Sequence, residues 1–143
     1  MKEVVGNLWK MSADALCITT NGVIKKNGAL VMGRGCALEA RHNIPGIDYE
    51  LGFLVQKFGN IVQICGLYKD KAIISFPTKH KWFELSDIDL IRQSVKQLVK
   101  LTNKNNFKKV ILPQPGCGNG GKSWKQVRPT IKKLDNRFVI ISK

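Results

Sequence analysis

The chain has 143 residues, which is enough for one domain with a single hydrophobic core over residues 1–143, and its 43% hydrophobic and 24% charged residues are ordinary for a globular protein. No apolar run approaches the roughly 18 to 20 residues of a membrane span, and the N-terminus lacks the apolar core of a signal peptide, so we expect no membrane contact. The formal net charge of +14, from 24 basic and 10 acidic residues, favours an anionic partner such as nucleic acid, although a solvated lysine-rich surface would carry the same charge.

The first part of the chain alternates apolar strands with glycine-rich connections. Residues 3–6 predict a short edge strand, and the nearly continuous apolar run at 15–19 is typical of a strand buried on both faces of a sheet. A loop with four glycines follows between residues 22 and 35, and helical periodicity begins near Cys36. Apolar residues at i, i+3, i+4 and i+7 then predict a second helix at 47–58.

The middle of the chain predicts two strands and a long helix. Strands at 61–67 and 72–76 are joined by a turn at 69–70, and the second strand runs into an irregular basic loop at 77–82. Ser86 is the predicted N-cap of the helix that follows, because acidic residues stand in the first turn after it.

The last part of the chain contains its most glycine-rich stretch. A strand at 110–112 leads into a loop with four glycines at 116–121, and apolar periodicity at 124–134 predicts a helix after it. Pro129 predicts that the first turn of this helix is irregular and that the regular helix starts later. Residues 137–142 form the last predicted strand.

Strands and helices that alternate in this way predict an α/β fold with a mostly parallel sheet. In such sheets ligands lie beyond the carboxyl ends of the strands, so we expect the two glycine loops and the basic loop to meet at one edge. Glycine backbones can turn their N–H groups towards a ligand, and a glycine loop before a helix favours phosphate or diphosphate.

The second glycine loop also matches a different phosphate-binding motif. Residues 116–123 fit G-x-x-x-x-G-K-[ST], the Walker A pattern of P-loop nucleotide hydrolases. Such enzymes need further strands after this loop, one of which carries a magnesium-binding Asp, and no apolar strand ending in Asp follows residue 123. The P-loop therefore stays the weaker alternative.

Several segments carry a resemblance to a known family. They are Val5-Gly6-Asn7-Leu8, Ala13-Asp14-Ala15-Leu16, Thr20-Asn21-Gly22, Met32-Gly33-Arg34-Gly35-Cys36-Ala37, Leu112-Pro113, Gly116-Cys117-Gly118-Asn119-Gly120-Gly121, Trp124 and Val127-Arg128-Pro129. In this order, over nearly the whole chain, they resemble the macrodomain family, and most of all the branch of terminal ADP-ribose protein glycohydrolases and of antitoxins that remove ADP-ribose from DNA. The resemblance implies a three-layer α/β/α sandwich with a mixed, mostly parallel sheet, which binds ADP-ribose in a cleft at the strand ends without a cofactor.

The resemblance also implies roles for individual residues. The backbone amides of residues 116–121 would hold the diphosphate, Asn21 would orient the distal ribose, and Lys79 would attack C1″ of the opened distal ribose. Lys79 and Asn21 are therefore the implied catalytic residues. The implied ligand-binding residues are Asn7, Leu8, Thr20, Asn21, Met32, Gly33, Arg34, Gly35, Pro113, Gly116, Cys117, Gly118, Asn119, Gly120 and Gly121.

The residue types alone leave the two catalytic roles open. Asn21 is equally a turn former, and Lys79 is equally an ordinary loop lysine of a basic protein. A lysine becomes a nucleophile only when burial or another cation lowers its pKa, and we expect His80, Lys81 and Trp82 to supply both influences.

Three features depart from the family pattern. Gly120 stands where some glycohydrolases of this branch have an acid, so an acid-assisted mechanism is not expected. Asn7 stands where many macrodomains have an Asp that accepts from the adenine amino group, and an amide accepts that bond without charge assistance. The aromatic residue that often stacks on adenine near the last strand is absent, so adenine affinity would be lower unless a Phe or Trp elsewhere replaces it.

These observations leave competing functions. The first is an enzyme that removes ADP-ribose from a macromolecule or dephosphorylates ADP-ribose 1″-phosphate. The second is a binding module with the same pocket and no turnover, and the third is a thiol hydrolase that uses Cys117 and His80. The four cysteines show no CxxC pair and no zinc spacing, so we expect reduced thiols, no metal and a cytoplasmic protein, which we take to be monomeric.

Overall fold

The computed structural model describes residues 1–143 and centres on a six-stranded sheet. The strands are β1 (Lys2–Val5), β2 (Ala15–Thr20), β3 (Gln63–Tyr68), β4 (Lys71–Pro77), β5 (Val110–Pro113) and β6 (Phe138–Ser142). They lie in the order β1-β6-β5-β2-β4-β3, and every neighbouring pair is parallel except β3 and β4. The prediction of a mixed, mostly parallel sheet is therefore confirmed.

The antiparallel pair follows from its short connection. Lys69 and Asp70, the turn residues between β3 and β4, have φ angles of 47° and 66°. Two consecutive residues with positive φ make the turn that matches the twist of a two-stranded hairpin. Strands joined by so short a turn pair antiparallel, whereas a parallel pair needs a longer crossover connection.

Helices cover both faces of the sheet. They are α1 (Gly35–Asn43), α2 (Ile47–Phe58), α3 (Ile88–Asn105) and α4 (Trp124–Val127), with short 3-10 helices at Leu8–Lys10, Gly118–Gly120 and Arg128–Thr130. Alternate residues of β2 point to opposite cores, because Leu16 and Ile18 pack with α1 and α2 whereas Ala15 and Cys17 pack with α3 and α4. The result is the expected three-layer α/β/α sandwich. No helix combines the length and the apolar character needed to cross a membrane.

The predicted N-cap of α3 is wrong by one residue. The cap is Asp87, whose carboxylate accepts from the N–H of Asp89 at 2.9 Å. Ser86 instead lies buried under the second glycine loop, where its N–H donates to the Gly120 carbonyl at 2.9 Å. Both residue types are good caps, so the residue types alone could not separate them.

The predicted helix at 124–134 is also wrong. It is reduced to the four residues of α4, and the 3-10 turn Arg128–Thr130 follows directly. Pro129 has no N–H for the bond to the carbonyl four residues earlier, so an α-helix does not continue through it. The apolar periodicity that predicted the helix reflects burial, since Val127, Ile131 and Leu134 all lie in the core beside α3.

Candidate functional site

A cavity of about 490 Å³ opens at the carboxyl ends of β2, β4 and β5. Its walls come from the two glycine loops and the basic loop, so the prediction that these three loops meet at one edge is confirmed. The volume is typical of small-molecule sites. The predicted residues that line it are Thr20, Asn21, Met32, Gly33, Arg34, Gly35, Lys79, Pro113, Gly116, Cys117, Gly118, Asn119 and Gly120.

A second cavity, also of about 490 Å³, shares part of its wall with the first. The residues common to both are Cys36, Pro113 and Lys143. Asn7 and Leu8 line only the second cavity, where Pro113 is the one other predicted residue in the wall. The Asn7 amide oxygen accepts from the Trp9 N–H at 2.9 Å, which uses one lone pair and leaves the NH₂ group free for a ligand.

The second glycine loop presents backbone donors to the first cavity. Gly116, Gly118 and Gly121 have φ angles of 77°, 62° and 76°, the left-handed region that favours glycine. A bond from the Lys122 N–H to the Gly116 carbonyl at 2.9 Å closes the loop. The N–H groups of Gly118 and Asn119 have no acceptor within the protein and are available to an anion. Gly121 lines neither cavity and serves the turn.

The N-terminus of α1 supplies donors from the opposite wall. Arg34 is its N-cap, but the Arg34 side chain makes no capping bond. The N–H groups of Gly35, Cys36 and Ala37 belong to the first turn, where no carbonyl within the helix can accept them, and all three residues line the cavity. The positive end of the helix dipole adds to the attraction for phosphate. The two walls are close, since a Cβ built on Gly35 would lie 3.4 Å from Asn119 Nδ2.

Lys79 lies between the basic loop and the second glycine loop. Its Nζ donates to the Trp82 carbonyl at 3.2 Å and to the Asn119 carbonyl at 3.1 Å. Burial, and then the nearby Arg34 guanidinium, hold the pKa of Lys79 below its usual range. An ammonium has three N–H groups, so one remains for a ligand in the cavity.

The second cation near Lys79 is not the expected one. His80 pairs with Asp87, with 2.8 Å between Nε2 and Oδ2. Lys81 lies over the ring of Phe83, with Nζ 5.9 Å from the ring centre. Beyond the effect of burial, the cation that lowers the pKa of Lys79 is Arg34, which comes from the other side of the cavity.

The amide of Asn21 is engaged in the first glycine loop. Its Nδ2 donates to the Val31 carbonyl and its Oδ1 accepts from the Val23 N–H, each at 2.9 Å. Asn21 is therefore a turn former in this structure. One N–H and one lone pair of the amide remain unused, and Asn21 lines the cavity, so its role towards a ribose stays a prediction.

The thiol hydrolase interpretation is wrong. Burial raises the pKa of the Cys117 thiol, which is the opposite of the shift that a nucleophile needs. The thiol contacts the Pro115 carbonyl at 3.8 Å, whereas His80 is bonded to Asp87. The nucleophile and the base are not brought together.

The P-loop interpretation also fails. In P-loop proteins the glycine loop leads directly into a helix whose N-terminus holds the phosphates. Here the loop folds into the 3-10 turn Gly118–Gly120, and the helix after it, α4, has four residues. The longer uncapped helix of this site is α1, on the other wall.

Ser86 is a residue of the site that the sequence assigned to a helix cap. It is 3% exposed, its hydroxyl has no hydrogen-bond partner, and it lines the first cavity. A Cβ built on Gly120 would lie 2.4 Å from Ser86 Oγ. The hydroxyl therefore fills the space that a side chain at position 120 would need. No pattern in the sequence marks this contact.

The fold and the site define an open-sheet α/β protein with two sets of backbone donors around a cavity at the strand ends. The Macro domain family model matches residues 51–131, and the chain belongs to this family. Among curated relatives, the DNA ADP-ribosyl glycohydrolase of Thermus aquaticus is 29% identical over 141 residues, which are 93% of this chain and 37% of that protein. The DNA ADP-ribosyl glycohydrolase of Mycobacterium tuberculosis is 31% identical over 128 residues, which are 85% of this chain and 35% of that protein.

Solved structures agree with this assignment. The macrodomain of Mycobacterium tuberculosis DarG superposes with a TM-score of 0.82 at 27% identity, over 99% of this chain and 97% of that one. The macrodomain of Thermus aquaticus DarG gives a TM-score of 0.78 at 29% identity, over 99% and 97% of the two chains. The chain thus aligns with 97% of each of these two macrodomain structures but spans little more than a third of the length of the curated relatives it matches.

Proposed function

We propose that the chain binds ADP-ribose in the two adjoining cavities and hydrolyses ADP-ribose from a macromolecule, with DNA as the first candidate. The observation that carries this proposal is Lys79, an amine of lowered pKa that lines a cavity with unpaired backbone donors on two walls. Two DNA ADP-ribosyl glycohydrolases that align with 93% and 85% of the chain support the choice of substrate. The net charge of +14 favours a polyanion.

The proposed pose follows the positions of the donors. The diphosphate lies between the start of α1 and the N–H groups of Gly118 and Asn119. The distal ribose lies between Asn21 and Lys79, and the adenosine extends past Pro113 into the second cavity. Each of these groups then meets residues that line the corresponding wall.

The proposed reaction consumes one water and releases ADP-ribose. The lone pair of neutral Lys79 Nζ forms a bond to C1″ as the bond from C1″ to the macromolecule breaks, and the proton lost by the nitrogen goes to the leaving atom. Water then adds to C1″, the C1″–Nζ bond breaks, and the nitrogen takes a proton from that water. The amine is regenerated, and the macromolecule leaves with the proton.

A binding module without turnover is the second candidate. One observation favours it: Gly120 leaves the loop without an acid, and a side chain at this position would meet Ser86 Oγ. Such a module would sequester ADP-ribose with the same backbone donors.

The test offers ADP-ribosylated DNA, ADP-ribosylated protein and ADP-ribose 1″-phosphate, and follows release by mass spectrometry. We expect release from DNA to be the fastest of the three. ADP-ribose at 100 times its Kd should raise the unfolding free energy by about 2.7 kcal/mol, and ATP with magnesium should not. Stabilisation by ADP-ribose without turnover of any substrate would establish the binding module.

We also propose the compartment and the oligomeric state of the protein. The four cysteines are free thiols, which suits the reducing cytoplasm, and we take the protein to act as a monomer. Light scattering of the purified protein tests the monomer.

A further inference from the structure

The last residue of the basic loop and the residue that follows it form an exposed aromatic pair beside the cleft. Trp82 and Phe83 are 47% and 65% exposed, and their rings meet edge to face with centres 5.4 Å apart. Trp82 lines the first cavity, and its carbonyl accepts from Lys79 Nζ, whereas Phe83 lies outside the cavity lining. The pair therefore begins at the proposed reaction centre and continues onto the surface.

The surroundings of this pair are cationic. Lys81 Nζ lies 5.9 Å from the centre of the Phe83 ring, and Arg34 and Lys79 line the adjoining cavity. Glu84 is the acidic residue that follows this pair in the sequence. Among all the lysines of the chain, Lys143 is the one that forms an ion pair with a carboxylate, so the lysine charge is available to a partner. A partner that matches this surface has flat aromatic groups and regular negative charge.

We propose that Trp82 and Phe83 form a stacking platform for an unpaired base of a single-stranded nucleic acid, next to the nucleotide that carries ADP-ribose. This inference rests on the proposed function, because the nucleic-acid strand is taken to run outward from an ADP-ribosylated nucleotide held in the cleft. Bases stack on exposed aromatic side chains whatever their sequence, and nearby cations hold the backbone phosphates. A protein segment could cover the same apolar area, but it lacks the regular charge that the free lysines complement.

The test measures binding of two single-stranded oligonucleotides of equal length and charge, one of thymidylates and one abasic, by fluorescence anisotropy at fixed salt. The wild-type protein should bind the thymidylate strand about tenfold more tightly than the abasic strand. Phe83→Ala should remove this preference, and Phe83→Trp should retain it. Phe53→Ala is the matched control: Phe53 is 60% exposed on α2, outside the cavity lining, with Lys57 Nζ also 5.9 Å from its ring centre. This control should keep the full preference.

Two results of this measurement would overturn the platform. One is equal affinity of the wild-type protein for both strands. The other is a Phe83→Ala variant that weakens both strands by the same factor, which would show a contact with the backbone alone. Neither strand carries ADP-ribose, so the result does not depend on turnover. A base preference without hydrolysis would overturn the proposed function and leave the platform standing.

A second arm uses substrates and separates nucleic acid from protein. Phe83→Ala should lower kcat/KM about tenfold on an ADP-ribosylated oligonucleotide and leave kcat/KM on an ADP-ribosylated nucleoside unchanged. A loss confined to an ADP-ribosylated peptide would assign this surface to a protein partner and overturn the inference.

Discussion

Lys79 Nζ donates to the Asn119 carbonyl at 3.1 Å, and this bond joins the basic loop to the second glycine loop. Asn119 also offers its own N–H to the cavity. The residue that would hold a phosphate with its N–H thus fixes the amine with its C=O. In the proposed pose, diphosphate binding to this loop is therefore coupled to the position of the Lys79 amine.

The first prediction concerns the amine itself. Lys79→Arg keeps a positive charge at the cleft but removes a nitrogen that can lose its proton and act as a nucleophile. We expect kcat on ADP-ribosylated DNA to fall about 100-fold or more, as for loss of a group that acts on the reacting atoms, with ADP-ribose still stabilising the protein in thermal shift. Lys81→Ala is the control and should keep its turnover on an ADP-ribosylated nucleoside. Normal turnover by Lys79→Arg would contradict the lysine mechanism.

The second prediction concerns pH. The neutral amine is the reactive form, and the lowered pKa of Lys79 makes this form available at lower pH than for an ordinary lysine. The single-turnover rate should rise with pH up to the pKa of Lys79 and then level off. Arg34→Ala removes the second cause of the lowered pKa, so the rising limb should move to higher pH, while burial still keeps it below the ordinary lysine value.

A His80 variant is the control for this pH profile. His80 is bonded to Asp87, so His80→Gln should leave the rising limb of the rate where it is in the wild-type protein. If the limb stays in place in Arg34→Ala, the Arg34 guanidinium does not act on the amine. If it moves in His80→Gln, the environment of the amine includes His80 as well as Arg34.

Much of the fold follows from local patterns in the sequence. The continuous apolar run of β2 marks a central strand, because both of its faces are covered by helices. The turn at Lys69 and Asp70 marks the hairpin. Because β2 pairs in parallel with both β4 and β5, the loops that follow these three strands meet at one edge of the sheet. The walls of the cavity could therefore be predicted without coordinates.

The contacts across the cavity could not be predicted in the same way. The Arg34 charge acts on Lys79, and Ser86 packs under Gly120, only because the sheet brings distant segments together. Both relationships depend on side-chain direction, which sequence periodicity does not report. The 3-10 turn after α4 has a different origin. The apolar period there reflects burial in the core, and Pro129 prevents an α-helix from following that period.

The third prediction concerns the support of the first glycine loop by α2. A Cβ on Gly52 would lie 1.8 Å from the Gly28 carbonyl oxygen and 3.1 Å from the Leu30 nitrogen. The Leu30 N–H also donates to the Asp48 carbonyl at 2.8 Å, so the loop cannot withdraw without losing a bond. Gly52→Ala should lower the free energy of unfolding by about 1–3 kcal/mol, measured in urea, and should weaken ADP-ribose binding.

A second glycine substitution provides the reference for this result. A Cβ on Gly6 would lie 3.5 Å from Ile141 Cδ1, which is an ordinary contact. Gly6→Ala should therefore change the free energy of unfolding by no more than about 0.5 kcal/mol. Equal losses in the two variants would show that the close approach of Gly52 to the loop does not matter.

The fourth prediction tests the contact between Ser86 and Gly120. A Cβ on Gly120 would lie 2.4 Å from Ser86 Oγ but 3.4 Å from Ser86 Cβ, so the hydroxyl alone makes the collision severe. Gly120→Ala should lower the free energy of unfolding by about 1–3 kcal/mol, whereas Ser86→Ala removes a buried hydroxyl without a partner and should cost little. The double variant should recover most of the loss, with a coupling of about 1 kcal/mol or more in urea unfolding. Additive losses would mean that the Ser86 hydroxyl is not what limits a side chain at position 120.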